Sequence, residues 1–183
     1  MKTIKNKILA LIGLVVLMAA TAVADPVRSL PSGTALEKKV RHELVTLPYY
    51  GVFDNLAFQV NGGTVTLYGQ VVQPTTKSDA AQRVARLAGV NRVVNKIDVL
   101  PLSPFDDSLR RRTYRAVFGT AGLSRYAMGA NPSIHIVVDH GRVTLEGVVS
   151  NSADAQRAYM AAMSVPGAFS VTNNLQVEQR KAY

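Results

Sequence analysis

The chain contains no cysteine, and this absence restricts the chemistry open to it. Without cysteine it has no disulfide, no thiolate nucleophile, no thiolate metal ligand and no N-terminal cysteine that would carry a lipid. The usual motifs of enzymes are missing as well, since no carboxylate pair, Ser-His-Asp order, phosphate loop or nucleotide fingerprint stands out. The sequence therefore predicts a protein that is not an enzyme and that holds no cofactor.

Histidine is scarce, with three residues in the chain, and only His135 and His140 lie close together in sequence. His135 falls in a predicted strand and His140 in a predicted turn, so the pair lacks the common orientation that i,i+4 spacing gives on a helix. We interpret them as surface or turn histidines and expect no metal site.

No apolar run reaches the roughly 20 residues that a membrane-crossing helix needs. The clearest run, Ile8 to Met18, follows three lysines and precedes Ala22-Val23-Ala24, which offers small residues at both positions that determine signal-peptide cleavage. We expect residues 1–24 to be a secretory signal peptide cleaved after Ala24, and residues 25–33 to be a flexible leader.

Acidic residues are fewer than basic ones, 12 against 21, which gives a formal charge of +9. Loss of the signal peptide removes three lysines and no acid, which leaves +6. A basic protein favours anionic lipid, nucleic acid or an acidic protein surface as a partner. Because export makes nucleic acid the least accessible of the three, we expect no nucleic-acid partner.

The sequence contains one module twice. Val65-Thr66-Leu67-Tyr68-Gly69-Gln70-Val71 recurs as Val143-Thr144-Leu145-Glu146-Gly147-Val148-Val149, an offset of 78 from Val65 to Val143. Two copies, rather than the three or more of a solenoid, predict two small domains that each close their own core. The repeated positions are apolar residues and glycines, which favours a binding or scaffolding role. The same offset aligns Gly89 with Gly167, Val93 with Val171, Asn95 with Asn173, Ile97 with Leu175 and Val99 with Val177.

The predicted element order in each copy is α-β-β-α-β. In the first copy, Thr34 and Glu37 form a capping-box pattern, and Gly62 and Gly63 form a hairpin turn. Gly69 lies on the packed face of its strand, where we expect a helix to approach closely or a bulge to form. The predicted elements are a helix from Thr34 that Pro48 ends, strands Leu56–Val60 and Thr64–Val72, a helix capped by Ser78 or Asp79 and ended by Gly89, and a strand over Val93–Val99.

The second copy repeats this order, with an insertion-like stretch from Gly119 to Pro132 that we expect to be mobile. Pro166 predicts that the second helix of this copy ends early or bends. The predicted elements are a helix capped by Asp106 or Asp107, strands Ile134–Val138 and Arg142–Val149, a helix starting at Ser152 or Asp154, and a strand over Phe169–Val177.

The fold class is therefore α+β, with two tandem modules that each pack a three-stranded sheet against two helices. We place the first module at residues 34–100, a linker at 101–106, the second module at 107–178 and a tail at 179–183.

The module resembles the BON family, named for bacterial OsmY and nodulation proteins. The resemblance depends on the strand V-T-L-x-G-x-V, the small-residue helix and the closing motif G-V-x-x-V-x-N-x-I/L-x-V, which stands at Gly89–Val99 and Gly167–Val177. It implies a periplasmic envelope protein of a Gram-negative bacterium that binds phospholipid or maintains outer-membrane integrity, sometimes under osmotic stress. The missing cysteine places the chain with the soluble members rather than the lipoproteins.

The strongest candidate site is the arginine cluster Arg110, Arg111, Arg112 and Arg115. On the predicted helix, Arg111 and Arg115 project opposite the apolar stripe and Arg110 and Arg112 flank it, so we expect the guanidinium groups to face outward. The planar fork of arginine suits a phosphodiester, which predicts an anion-binding surface. The alternative is a solvated helix face without a ligand.

The neighbouring stretch carries Leu123, Tyr126 and Met128, which we expect either to insert beside lipid headgroups or to pack on the first module. The predicted lipid- or anion-binding residues are thus Arg110, Arg111, Arg112, Arg115, Tyr126 and Met128.

Two functions remain open. The first is peripheral, reversible binding of anionic phospholipid through the second module. The second is binding of outer-membrane or envelope proteins, as a chaperone or accessory module, through a sheet edge or through aromatic surfaces such as Tyr49, Tyr50 and Phe53.

Overall fold

The computed structural model describes residues 34–129 and 131–179. The predicted signal peptide, its cleavage site, the leader and residues 180–183 of the tail lie outside the described residues. Within the described part of the chain, no helix combines the length and hydropathy needed to cross a membrane.

The first module has the predicted α-β-β-α-β order. Strand β1 runs antiparallel to β2, and β2 runs parallel to β3, so β2 is the central strand of a sheet ordered β1-β2-β3. The elements are α1 (Ala35–Val45), β1 (Asn55–Asn61), β2 (Thr64–Val71), α2 (Pro74–Ala85) and β3 (Arg92–Val99).

The second module has the same topology, with β5 between β4 and β6. A short strand, β7, continues beside β5 after β6 ends, and a 3-10 helix precedes β4. The predicted fold class is therefore confirmed. The elements are α3 (Pro104–Gly119), the 3-10 helix (Ser124–Ala127), β4 (Ile134–Asp139), β5 (Arg142–Val149), α4 (Ser152–Met163), β6 (Ser170–Asn173) and β7 (Gln176–Val177).

Helix starts follow side-chain caps and prolines. The capping box of α1 is confirmed, since Thr34 N donates to Glu37 Oε2 at 2.5 Å and Glu37 N donates to Thr34 Oγ1 at 3.3 Å. The predicted start of α2 at Ser78 or Asp79 is wrong, because the helix begins at Pro74. Proline suits the first helical position, where its missing N–H has no intrahelical partner to lose.

The predicted start of α3 is wrong for the same reason. This helix begins at Pro104, and Ser103 is its cap, accepting from Asp106 N at 3.1 Å, so the linker is shorter than residues 101–106. Asp106 is instead buried, and it accepts from His140 N at 3.0 Å and Gly141 N at 2.8 Å. It therefore joins α3 to the β4–β5 turn.

Helix α4 begins at Ser152, as predicted, and Asn151 caps it by accepting from Asp154 N at 2.8 Å. The expectation that Pro166 shortens or bends this helix is wrong. Helix α4 ends at Met163, the position equivalent to Ala85 at the end of α2 (85 + 78 = 163), so both helices end before the proline position is reached.

The repeated glycines of β2 and β5 are required by a neighbouring strand. Gly69 and Gly147 both have φ of +116°, and a Cβ there would lie 1.9 Å from Asn55 O and 2.1 Å from Ser133 O, respectively. The expected close approach of a helix at Gly69 is therefore wrong, since the close neighbour is the backbone where β1 begins.

The repeated asparagine of the closing motif joins each second helix to its sheet. Asn95 Nδ2 donates to Lys77 O at 2.9 Å, and its Oδ1 accepts from Ile97 N at 3.1 Å. Asn173 does the same with Ala155 O at 3.2 Å and Leu175 N at 3.2 Å. The motif thus encodes a helix-to-strand bridge in both modules.

Each module has its own buried core, and the segment between α1 and β1 connects the two. Val52 and Phe53 belong to the first module but pack against the core of the second. Ile136 N donates to Val52 O at 2.7 Å, Asn131 Nδ2 donates to Val45 O at 2.8 Å, and the rings of Phe53 and Tyr114 meet edge to face. The modules are therefore packed on each other along β4.

Buried polar groups lie at this contact. His135 Nδ1 is 3.2 Å from Gly51 O, which can only accept, so Nε2 is free to accept from Tyr50 Oη at 3.5 Å. Burial lowers the pKa of His135 and raises the pKa of Tyr50 to about 12. Burial also raises the pKa of Asp54, which accepts from Gly51 N at 2.9 Å and Val72 N at 2.7 Å. The contact between the modules thus favours the neutral form of His135.

We expect Gly147→Ala to lower the free energy of unfolding by about 2–4 kcal/mol, because the new Cβ meets backbone at a positive φ. The matched control is Gly119→Ala in the last turn of α3, where a Cβ has open space. The measurement is urea denaturation followed by circular dichroism. Equal stabilities for the two variants would contradict this account of the repeated glycine.

We expect the stability contributed by His135 to be lost at acidic pH. Its pKa in the fold is below its ordinary value of 6.5, so the unfolded chain takes up the proton first as the pH falls. The stability difference between the wild type and His135→Gln should therefore shrink from pH about 7.5 to about 5.5. Denaturation curves measured across this range test it, with His42→Gln, which removes an exposed histidine, as the control. Parallel profiles for the wild type and His135→Gln would show that the buried neutral state contributes nothing.

Candidate functional site

The candidate site is the outer surface of α3, and its orientation follows from a buried stripe on the opposite side. Leu109, Thr113 and Val117 are fully buried in the second module, as the helical spacing predicts. This stripe turns Arg111 and Arg115 outward, one helical turn apart. Neither guanidinium has an acidic partner among residues 34–129 and 131–179. Both arginines therefore offer their donors to solvent or to a ligand.

Arg110 does not belong to this surface, and its predicted outward orientation is wrong. Its side chain is 3% exposed, its Nη1 donates to Asp107 Oδ1 at 2.5 Å, and its Nη2 donates to Val138 O at 2.7 Å. Val138 lies two residues after Ile136 on β4, so its carbonyl points to the same outer edge as Ile136 N. Arg110 and Val52 thus each bind one backbone group on this edge of the sheet.

Arg112 has the flanking position that the sequence predicts. It is half-buried, and its Nη1 donates to Ser108 Oγ at 2.8 Å. Its Nη2 lies 3.2 Å from the point that a Cβ on Gly167 would occupy. The guanidinium is thus held beside the loop that follows α4, at the edge of the surface formed by Arg111 and Arg115.

Tyr126 is not available to a membrane, so the prediction that it inserts beside headgroups is wrong. It is 6% exposed and belongs with Leu123 to the core of the second module. Its hydroxyl donates to Asp154 Oδ2 at 2.5 Å and accepts from Ser150 N at 3.0 Å. The inserted stretch is therefore anchored on its own module, and Asn131 within it also donates to Val45 O of the first module.

An ion-pair cluster around Asp154 completes this anchor. Asp154 is fully buried, and its two carboxylate oxygens accept from Arg125 and Arg157, which are both half exposed. The Tyr126 hydroxyl and the guanidinium of Arg157 hold the pKa of Asp154 below its ordinary value. Sequence reasoning missed this cluster, although the i,i+3 spacing of Asp154 and Arg157 was a local signal for one of its pairs.

A shallow apolar groove of about 350 Å³ separates α3 from the 3-10 helix. Arg115 stands on one side of it and Ala127 on the other, and Met128, the residue after Ala127, is 73% exposed. Of the predicted site residues, Arg115 lines this groove, and Met128 is exposed next to a residue that lines it. The groove is lined by Tyr114, Arg115, Phe118, Gly119, Ser124 and Ala127.

His135 and His140 contact different groups and do not share a site. His135 contacts Gly51 and Tyr50 in the contact between the modules, whereas His140 Nδ1 lies 2.5 Å from Asp139 Oδ1 on the surface. Among the described residues, no group of three or more His, Asp or Glu side chains is disposed to hold a metal ion.

The fold and the site define a class: a tandem α+β module pair that exposes arginines and apolar side chains on one helix. The chain belongs to the BON domain family, whose model matches residues 32–101 and 118–179. Members of this family are generally non-enzymatic. The second match begins inside α3, so it leaves out the exposed arginines of that helix.

Comparison with curated proteins gives no match. Among solved structures, the chain is similar to the C-terminal domain of CdsD, the structural protein of the type III secretion system of Chlamydia trachomatis. The identity is 12%, the TM-score is 0.32, and 81% of this chain and 100% of that chain are covered. A second structure of CdsD gives 13% identity and a TM-score of 0.30 over 80% of this chain and 94% of that one. Likenesses at this level carry no argument about function.

We expect Tyr126→Phe to lower the free energy of unfolding by about 1–2 kcal/mol, because Ser150 N and Asp154 each lose a hydrogen-bond partner. Tyr49→Phe, which makes the same change at an exposed tyrosine, should alter stability by less than about 0.5 kcal/mol. Urea denaturation of both variants is the measurement. If the two curves coincide, the hydroxyl does not anchor the inserted stretch.

Proposed function

We propose that this chain is a non-enzymatic periplasmic tandem BON protein that binds anionic phospholipid surfaces peripherally through α3. The observation that carries the proposal is the pair Arg111 and Arg115, which is exposed and without an acidic partner in the described residues. Arg115 also lines an apolar groove. Arginine engages a phosphodiester through two parallel donors, which makes this pair suited to headgroups.

The electrostatic contribution is modest and sensitive to salt. Each basic group close to an anionic membrane adds about 1 kcal/mol, and the effect decays within a Debye length of about 8 Å at physiological ionic strength. The nearest acid on the helix, Asp107, is already paired with Arg110. The outer face of α3 therefore presents net positive charge to a membrane.

An apolar contribution comes from the other side of the groove. Met128 projects into solvent, and Tyr114 is partly exposed where α3 approaches the groove. A surface that combines cations with a few apolar side chains binds the interface of a bilayer without crossing it. We therefore infer reversible association rather than stable anchoring.

The proposed location and physiological role depend on the sequence and the family. The pattern over residues 1–24 supports export, and BON membership supports a role in the cell envelope. We propose that binding to anionic lipid contributes to outer-membrane integrity or to a stress response. The alternative is binding of an envelope protein along a strand edge. At β4 such binding would compete with Val52, which accepts from Ile136 N, and with Arg110, which donates to Val138 O.

The test is co-sedimentation of the chain from Asp25 onward with phosphatidylcholine vesicles, with and without phosphatidylglycerol, at low and high salt. We expect binding only to the anionic vesicles, and its loss in high salt. Arg111→Glu with Arg115→Glu should weaken binding at least tenfold, since two attractive groups of about 1 kcal/mol each become repulsive.

The matched control is Lys38→Glu with Lys39→Glu, which reverses the same amount of charge on the exposed face of α1. Its affinity should stay within about threefold of the wild type. An equal loss in both double variants would assign binding to net charge rather than to α3. Absence of binding by the wild type in every condition would favour a protein partner instead.

A further inference from the structure

Two phenylalanines are stacked on the surface of the second module. The ring centroids of Phe105 and Phe169 are 5.9 Å apart with an interplanar angle of 23°. Phe105 is 44% exposed and Phe169 is 77% exposed. Adjacent exposed aromatic side chains commonly mark a contact surface, whereas single ones need no explanation.

The duplication shows that the fold does not require a phenylalanine at position 169. The equivalent residue in the first module is Asn91 (91 + 78 = 169). Asn91 N donates to Gly63 O at 2.8 Å, and Phe169 N donates to the equivalent Gly141 O at 2.9 Å. Both side chains also cover the glycine of the adjacent hairpin turn. A polar residue therefore serves the structural role, and the exposed ring is an addition of the second module.

Phe105 also differs from its counterpart. In the first module, Leu36 lies over Gly89 at 3.9 Å from the position of a Cβ, and it packs against the core. In the second module, Phe105 lies over Gly167 at 3.5 Å, but its ring continues outward onto Phe169. The two stacked rings thus form an exposed apolar surface that the packing of the core does not require.

Cations flank the stacked rings. Arg112 shares a helical stripe with Phe105 (i and i+7), and its Nη2 lies beside Gly167, two residues before Phe169. Arg142 is 62% exposed and follows Gly141, the glycine that Phe169 covers. Two nearby acids are paired, Asp107 with Arg110, and Asp139 with Arg142 and His140. A third, Asp106, is buried and accepts from the backbone of His140 and Gly141. Aromatic rings between arginines suit the boundary of acyl chains and phosphates in an anionic bilayer.

We propose that Phe105 and Phe169 insert into the bilayer interface while Arg112 and Arg142 contact the phosphates. This inference depends on the proposed function, and it adds an orientation to it: the end of the second module that carries the start of α3 and the β4–β5 turn faces the membrane. Arg111 and Arg115 lie further along the same helix, where their charges add to the positive potential that attracts the anionic bilayer.

The absence of tryptophan from the chain permits a direct test. Phe169→Trp introduces a single reporter at the proposed insertion point, and Asn91→Trp introduces one at the equivalent exposed position of the first module. With vesicles of phosphatidylcholine and phosphatidylglycerol, we expect the emission of the tryptophan at position 169 to shift to the blue and to be quenched by acyl-brominated lipid. The tryptophan at position 91 should do neither.

A second variant, Phe105→Ser with Phe169→Ser, should reduce vesicle affinity at least tenfold while the salt dependence of binding stays the same, because the arginines remain. Sedimentation with vesicles but no shift at position 169, or an equal shift at position 91, would overturn the insertion and leave the proposed function intact. No sedimentation at all would overturn the proposed function. A blue shift without vesicles that grows with protein concentration would assign the pair to a contact between copies and would also overturn the insertion.

Discussion

The outer edge of β4 is the constraint from which the arrangement of this protein follows. A strand edge that is covered by other parts of the chain must find partners for its backbone groups. Here Val52 of the first module accepts from Ile136, and Arg110 of α3 donates to Val138. The first partner brings the two modules together. The second turns one arginine of α3 inward, and the helical geometry then directs Arg111 and Arg115 outward.

The duplication separates residues that maintain the fold from residues that give the second module its own surface. Gly147 and Asn173 repeat Gly69 and Asn95, and each pair has the same contacts in both modules. Divergent positions lie both on the surface and in the interior. Asn91 becomes Phe169, and Thr76 becomes Asp154, the acid that anchors the inserted stretch. The second module thus differs from the first in its stacked, exposed phenylalanines and in the arginines of α3.

The element order and the hairpins could be predicted because they depend on local periodicity and on turn residues. The starts of α2 and α3 could not, because the favourable cap residues Ser78, Asp79, Asp106 and Asp107 lie inside helices that begin at Pro74 and Pro104. The sequence alone does not show which arginine of the run is buried. Arg110 is the buried one because it donates to Val138 O at the edge of β4. Tyr126 is buried because its partner, Asp154, comes from a helix 28 residues away, a contact that local patterns do not encode.

The contact between the modules uses the main chain of the first module. Gly51 and Val52 contribute carbonyl oxygens, which every amino acid carries, so side-chain identity at these two positions matters little for the hydrogen bonds. What the contact does require is a segment of suitable length between α1 and β1. A substitution at Gly51 or Val52 would leave these two carbonyl groups in place, whereas inserting or deleting a residue would shift them out of register with β4. Selection on these two hydrogen bonds would therefore be visible as a constant spacing, and selection on the side-chain contacts as conservation of residues such as Phe53.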